Sequence, residues 1–279
     1  MVAQNIQPIY LCPLCKASLQ SETTGLVCPA GHRFDKAKEG YVNLLPVQKK
    51  KSKDPGDNKE MMQARRLFLE SGSYQALSDR VGELVLGLPV SPATILDLGC
   101  GEGYYTHRLQ QVLAKEDIWP QLYGLDISRA ALKAAAKRYP QIHFCVASSF
   151  DTPFASEFFD LVVRIYAPSK PEELKRLVKP GGHLLTVSAG PMHHFAVKQR
   201  IYDTPRLHED SVEQIDGFEI VSSERLQWQL EMENPELILA FLEMTPYAWK
   251  FTPEARTQLA GEPFSCELDF RINLQRRVL

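Results

Sequence analysis

From Pro92 onward the chain alternates short apolar runs with stretches of helical period. ATILDLG (93–99) is too short for a helix and reads as a buried strand, whereas THRLQQVLAKE (106–116) repeats its apolar residues at helical spacing. LYGLDIS (122–128), IHFCVAS (142–148), FDLVVRIY (159–166) and HLLTVSA (183–189) read as further strands. Between them lie two helices: SRAALKAAAKRY (128–139), with Ser128 as its N-cap, and PEELKRLV (171–178), stopped by Lys179-Pro180-Gly181-Gly182. Strands and helices in strict turn connect by right-handed crossovers, so the pattern predicts a doubly wound parallel sheet. The tail breaks that rhythm. FEIVSSERLQWQLEM (218–232) and FSCELDFRINLQRRV (264–278) alternate polar with apolar residues around a helical ENPELILAFLEM (233–244). Two such strands are expected to add at the sheet edge, antiparallel.

Upstream, MMQARRLFLES and YQALSDRVGELVLGL read as helices within 58–89, broken at Gly72. The run Gln48 to Asp57 is charged and carries a Pro-Gly pair, which marks a linker. Three regions follow: a module at 1–46, a linker and helical segment at 47–91, and an α/β domain at 92–279. A chain of 279 residues, 44% hydrophobic, can bury one large core with an accessory module. No apolar stretch reaches the ~20 residues that span a bilayer, and MVAQNIQPIY lacks the charged start and apolar run of a signal peptide, so a cytoplasmic protein is expected. Net charge is -2, but residues 1–53 hold eight Lys/Arg against three Asp/Glu. A basic front on an acidic body suits an anionic partner, although a solvated lysine cluster at a boundary has the same composition.

Cys12-Pro-Leu-Cys15 and Cys28-Pro-Ala-Gly-His32 form two knuckles twelve residues apart. Tight turns of this kind bring four ligands onto one tetrahedral ion, and thiolates with an imidazole select Zn²⁺. Four protein ligands leave no open position, so the ion is structural. The other cysteines, Cys100, Cys145 and Cys266, are scattered singly in apolar segments, which argues against a disulfide framework.

Asp97-Leu-Gly99-Cys-Gly101-Glu102-Gly103 follows the first strand and precedes a helix, where glycines let a ligand approach backbone amides. Asp126, at the end of the second strand, is placed to accept hydrogen bonds from ribose hydroxyls. Dinucleotide folds space these glycines GxGxxG and set a pyrophosphate on the helix N-terminus. Here the spacing is GxGxG, preceded by Asp97 and joined by Glu102, two acids that would repel a phosphate but tolerate a sulfonium. DxGxGxG resembles the first motif of the class I methyltransferases, which makes S-adenosylmethionine the expected cofactor. Asp97 either meets that cofactor or caps amides of its own loop.

The stretches CPLC, CPAGHRFDKAKEGYVNLLPVQKKKSKDPGDNKEMMQARRLFLESGSYQ, ILDLGCGEGYYTHRL, RIYAP and LVKPGG together resemble the RlmA (RrmA) family of 23S ribosomal RNA guanine-N1 methyltransferases. EGYVNLLP and DPGDNKEMMQARR are more specific than the glycine loop, and the likeness runs over nearly the whole chain. It implies a Rossmann-like class I methyltransferase fold with a small N-terminal zinc-binding module. It also implies one structural Zn²⁺ on Cys12, Cys15, Cys28 and His32, and cofactor contacts at Tyr74, Gly101, Glu102 and His193. The implied substrate is a guanine in a hairpin of 23S ribosomal RNA, and the implied assembly is a homodimer.

Methylating guanine N1 requires an accessible base and removal of the N1 proton. In this fold the acceptor lies beyond the carboxyl end of the fourth strand, near Arg164, Tyr166, Pro168 and Ser169. Tyr166 either stacks on or hydrogen-bonds the guanine, or simply closes the sheet edge. Asp151 and His193 are the candidates for assisting deprotonation. Arg33, Lys36, Lys49, Lys50, Lys51 and Lys53 are candidates for phosphate contacts, supplying affinity more than sequence choice. Two other functions share these features: a methyltransferase of the same fold acting on a small molecule or protein, and a zinc-dependent RNA-binding protein with a vestigial methyltransferase domain. Dependence of turnover on the zinc module discriminates the first, and cofactor binding the second.

Overall fold

The computed structural model describes residues 10–49, without the side chain of Lys49, and residues 58–278. The phosphate-contact candidates Lys49, Lys50, Lys51 and Lys53 therefore lie outside the described side chains. The N-terminal segment is a three-stranded antiparallel ribbon, β1 (Gln20–Ser21), β2 (Gly25–Val27) and β3 (Arg33–Asp35), followed by β4 (Val42–Asn43) and helices α1 (Lys59–Glu70) and α2 (Gln75–Leu86). The alternation then runs β5 (Thr94–Leu98), α3 (Tyr104–Lys115), β6 (Gln121–Asp126), α4 (Arg129–Arg138), β7 (His143–Val146), β8 (Phe159–Ile165), α5 (Pro171–Leu177) and β9 (Val178–Ala189). The remainder is α6 (Phe195–Ile201), β10 (Phe218–Met232), α7 (Pro235–Met244), α8 (Pro253–Ala260) and β11 (Phe264–Arg277).

Among the described residues, eight strands form the main sheet in the order β10-β11-β9-β8-β5-β6-β7-β4. From β4 to β9 all neighbours are parallel, while β11 is antiparallel to both β9 and β10. The two late strands thus add beyond β9 at one edge of the parallel sheet and run antiparallel, as expected, with β11 beside β9 and β10 outermost. α5 stops at Leu177, ahead of Lys179-Pro180-Gly181-Gly182 as expected, but the strand starts earlier than the apolar run suggests. β9 begins at Val178, directly after α5, and a bulge opposite Phe159–Leu161 absorbs the two glycines. Going β5, β6, β7 the chain moves one way across the sheet, and β8 returns to the other side of β5. That reversal opens a crevice at the carboxyl ends of β5 and β8.

Each face of the sheet carries its own apolar layer, because strand residues alternate. Ile95 packs into the layer that holds Phe68, Tyr74 and Leu109 of the helical side, whereas Leu96 and Leu98 join the opposite layer. The second layer includes Tyr10, Cys12, Leu19, Leu26 and Cys28 of the ribbon. The ribbon from Tyr10 onward therefore covers part of one sheet face, and β4 extends the sheet itself by pairing with Cys145 and Val146. On the other face, Ser128 caps α4 by accepting from the amide of Ala131, as its position in the sequence suggests. Phe68 of α1 is fully buried, edge-on to Tyr74 at 5.0 Å and tilted against Phe241 at 5.3 Å. Burying such a ring is worth about 1.5–3 kcal/mol, and here it also fixes Tyr74 at the start of α2.

Candidate functional site

The ribbon's two knuckles turn as the metal reading requires. Lys16 N–H donates to Cys12 O at 2.8 Å and Gly31 N–H to Cys28 O at 2.9 Å, so each loop folds back on its first cysteine. The three sulfurs and the His32 imidazole converge, with every ligand atom within 4.8 Å of the others. His32 Nδ1 lies 3.5 Å from Cys12 Sγ and 3.3 Å from Cys28 Sγ, and the sulfurs of Cys15 and Cys28 are 3.6 Å apart. Those are close to the edges of a tetrahedron with metal–sulfur bonds of about 2.3 Å. Burial opposes ionisation of Cys28, yet hydrogen bonds from the His32 amide and its neighbours bring the thiol down to about 6. The donor set fits a closed Zn²⁺ site.

At the crevice, the amides of Gly99 and Cys100 donate to Leu125 O at 2.7 and 3.0 Å, which ties the glycine loop to the end of β6. Gly99 has φ +85, and a methyl there would stand 2.3 Å from Cβ of Ala167. Gly101, at φ +54, is different: a methyl would meet nothing within 4 Å and would project into open space. Asp126 accepts from the amides of Gly101 (2.9 Å) and Ser128 (2.8 Å), one on each oxygen. A carboxylate has more acceptor positions than these amides fill, which leaves room for a ligand hydroxyl. The loop opens into a cavity of about 800 Å³ that takes in Tyr74, Asp97, Gly101, Asp126, Tyr166 and His193. That volume suits a nucleoside-sized ligand with a second group beside it.

Around the glycine loop two buried carboxylates favour a cation. Burial pushes Asp97 up to about 7, with the Thr106 hydroxyl opposing and Asp126 reinforcing the rise. Burial raises Asp126 as well, against the amides of Ser128 and Gly101 and the Arg65 guanidinium. A sulfonium and an ammonium would relieve both carboxylates, so the residues fit S-adenosylmethionine. Glu102 is committed differently: Arg66 of α1 holds it in a two-pronged ion pair, locking the loop to the helical segment.

The far wall is a stack of rings. His193 and His194 lie face to face with centroids 3.8 Å apart, and the Tyr74 hydroxyl is 2.9 Å from His194 Nε2. His193 Nδ1 accepts from the amide of Asp269 at 3.2 Å. Burial pushes its ring down to about 3, helped by His208. The ring is therefore neutral with its proton on Nε2, and that proton points at the Tyr166 hydroxyl 3.2 Å away. Tyr166 itself sits at φ +53, a left-handed conformation that costs an aromatic residue about 1–2 kcal/mol. The turn swings its ring away from β8 and into the cavity mouth.

Of the acceptor-side residues expected from the sequence, Tyr166 and Pro168 line the cavity. Arg164 does not; it bonds Ser169 at 2.9 Å and pairs with Glu213, bracing the same loop from behind. Asp151 is also outside the lining. Its carboxylate meets Lys16 at 2.6 Å, next to the metal knuckle, so it ties the ribbon to the body. Arg33 pairs with Glu22 at the surface, and Lys36 is exposed beside β3. His194 and Asp269 were not anticipated. Asp269 is buried in β11 and also accepts from the Met192 amide and Arg225, which fixes the loop that presents His193. The one signal for it was an acid flanked by Leu268 and Phe270 in an apolar strand.

The chain matches the family described as "RlmA, N-terminal" over residues 10–53 and that described as "Methyltransferase domain" over residues 90–234. It is 32% identical over 271 residues to the 23S rRNA (guanine(748)-N(1))-methyltransferase of Streptomyces fradiae, covering 93% of this chain and 92% of that one. It is 30% identical over 279 residues to YxjB of Bacillus subtilis, named as a 23S rRNA (guanine-N(1)-)-methyltransferase, with 95% of both chains covered. The metal ligands fall within the first matched span and the glycine loop within the second.

Proposed function

This chain belongs to the RlmA family of 23S ribosomal RNA guanine-N1 methyltransferases, and on that premise we propose how its residues methylate a guanine of 23S ribosomal RNA at N1. S-Adenosylmethionine, when bound, supplies a methyl group already activated by its positive sulfur. The protein's task is then alignment and release of the N1 proton. Asp126, itself held in place by the Gly101 amide, takes the nucleoside end, Asp97 answers the cofactor's positive charge, and Tyr74 closes the pocket beside α2.

The hydrogen-bonded series from the Asp269 amide through His193 to Tyr166 carries the reading. Because His193 donates to the Tyr166 oxygen, the phenol proton is free to donate outward. Burial holds the phenol well above its ordinary pKa, so it stays protonated. A guanine entering the mouth would offer O6 to this donor. Loss of the N1 proton puts negative charge on O6, and a preorganised hydroxyl there stabilises that charge as an oxyanion donor does. The proton leaves to solvent. His193 cannot take it, since Nδ1 is occupied and Nε2 already carries hydrogen.

The target would be a hairpin base, which swings out at lower cost than a base in a duplex. Lys36 and the lysines at 49–53 would contact phosphates, and Arg33 could exchange Glu22 for one. Acting on ribosomal RNA would set this work in the cytoplasm. The test is transfer of labelled methyl to unmodified large-subunit RNA, run beside small-subunit RNA, transfer RNA and a small-molecule extract. Label confined to the large-subunit RNA supports the reading. Label in the small-molecule fraction alone would overturn it.

A further inference from the structure

We propose that Trp249, Tyr202 and Lys250 form a second RNA site, a shelf on which an unpaired base next to the target guanine stacks. The inference rests on the reading of the substrate as RNA. α7 ends at Met244, which lines the cavity together with Thr245, Pro246 and Tyr247 just beyond it, and the next turn is Ala248–Lys250. The other half of the shelf follows α6, in the loop from Tyr202 to His208, whose last residue also lines the cavity. Lys250 joins the halves: its Nζ lies 4.3 Å from the Trp249 ring centre and 5.3 Å from that of Tyr202.

Trp249 is 75% exposed and Tyr202 40%. These two exposed rings lie on the two segments whose neighbours Tyr247 and His208 line the substrate cavity, and Lys250 gathers them into one patch, which marks a binding surface better than single exposed rings do. Lys250 fixes their positions by cation–π contact while leaving most of the indole uncovered. The surroundings suit a polyanion. Arg200, Arg206 and Lys250 have no ion-pair partner among the described residues; of the acids nearby, Asp210 and Glu243 are tied to Arg271 and Arg256, which leaves Asp203 and Glu209 against the three cations. Cations beside exposed aromatic faces, next to a pocket that takes one base, match single-stranded nucleic acid. Swinging one guanine out of a loop unstacks its neighbour, and the shelf would recover that neighbour's stacking. Such a contact is tolerant of base identity, so it should add affinity without choosing sequence.

The test compares wild type with Trp249→Ala, Trp249→Phe and Lys250→Glu, using a labelled fragment of unmodified 23S ribosomal RNA. Trp249→Ala should bind it about tenfold more weakly, as loss of one base–aromatic stack does, whereas Trp249→Phe should stay within about twofold. Lys250→Glu should weaken binding too. RNA should quench tryptophan fluorescence of the wild type more than that of Trp249→Phe, which keeps Trp119 and Trp228. Affinity for S-adenosylmethionine should be unchanged in all three. Unaltered RNA affinity in Trp249→Ala would overturn the shelf. So would a change in sedimentation with RNA affinity intact, which would make the patch a self-association surface. A wild type that neither binds nor methylates the RNA would defeat the substrate reading itself, whatever the variants do.

Discussion

Replacing Gly99 with alanine imposes two separate costs on the cofactor loop. At φ +85 an L residue loses about 1–2 kcal/mol. The new methyl would also stand 2.3 Å from Cβ of Ala167, far inside the carbon–carbon optimum of about 3.5–4.0 Å. Overpacking of that kind costs about 1–3 kcal/mol, so Gly99→Ala should lose about 2–5 kcal/mol of unfolding free energy in total. Ala167 follows Tyr166, and moving it to relieve the overlap moves the phenol; a displacement of about 1 Å can cost about a hundredfold in rate. A double-mutant cycle separates the two costs. Ala167→Gly removes the opposing methyl, so the double variant keeps the torsional cost and escapes the overlap. Urea unfolding of the four proteins should show about 1–3 kcal/mol of favourable coupling, with part of the lost turnover restored. Effects that add within about 0.5 kcal/mol would refute the claim that the cofactor loop and the acceptor loop bear directly on each other.

Tyr166→Phe keeps the ring and removes the donor, so turnover should fall by about 10²–10³ while the dissociation constant for S-adenosylmethionine stays within about twofold; turnover equal to wild type would remove the phenol from the chemistry. Asp97, near 7, is neutral below that pH and anionic above it. Affinity for the cationic cofactor should therefore drop roughly eightfold from pH 7.5 to pH 6, and Asp97→Asn should flatten the dependence, as titration calorimetry can show. A slope that survives in Asp97→Asn would assign the titration to another group. Metal analysis should give one zinc per chain, and stripping it should speed hydrogen exchange at the amides of Leu11 and Leu44, which donate to Pro153 and Val146. Unchanged exchange there would mean the ribbon holds its place without the ion.

What was legible in the sequence was what a local rule governs. The metal ligands could be read because tetrahedral coordination dictates their spacing, and the glycine loop because a backbone approached by a ligand excludes side chains. The strands from β5 to β9 announced themselves as apolar runs too short for helices. β11 also looked like a strand, but its place between β9 and β10 depends on which edge was left free. β4 is two residues long and gives no pattern at all, so the ribbon's share in the main sheet was invisible. The same limit applied to Asp151. A carboxylate just past a strand end looks alike whether it faces a cavity or a cation, and the cation here, Lys16, is 135 residues away. The tautomer of His193 is likewise set by the amide of Asp269, 76 residues further along.

Digesting the methylated large-subunit RNA to nucleosides and resolving them by mass spectrometry reports the acceptor atom itself. With wild type the methyl should appear as 1-methylguanosine, and with Tyr166→Phe the same product should accumulate far more slowly. A methyl carried on another position of guanine, on another base or on ribose would contradict the O6 hydrogen bond and, with it, the chemistry assigned to the cavity.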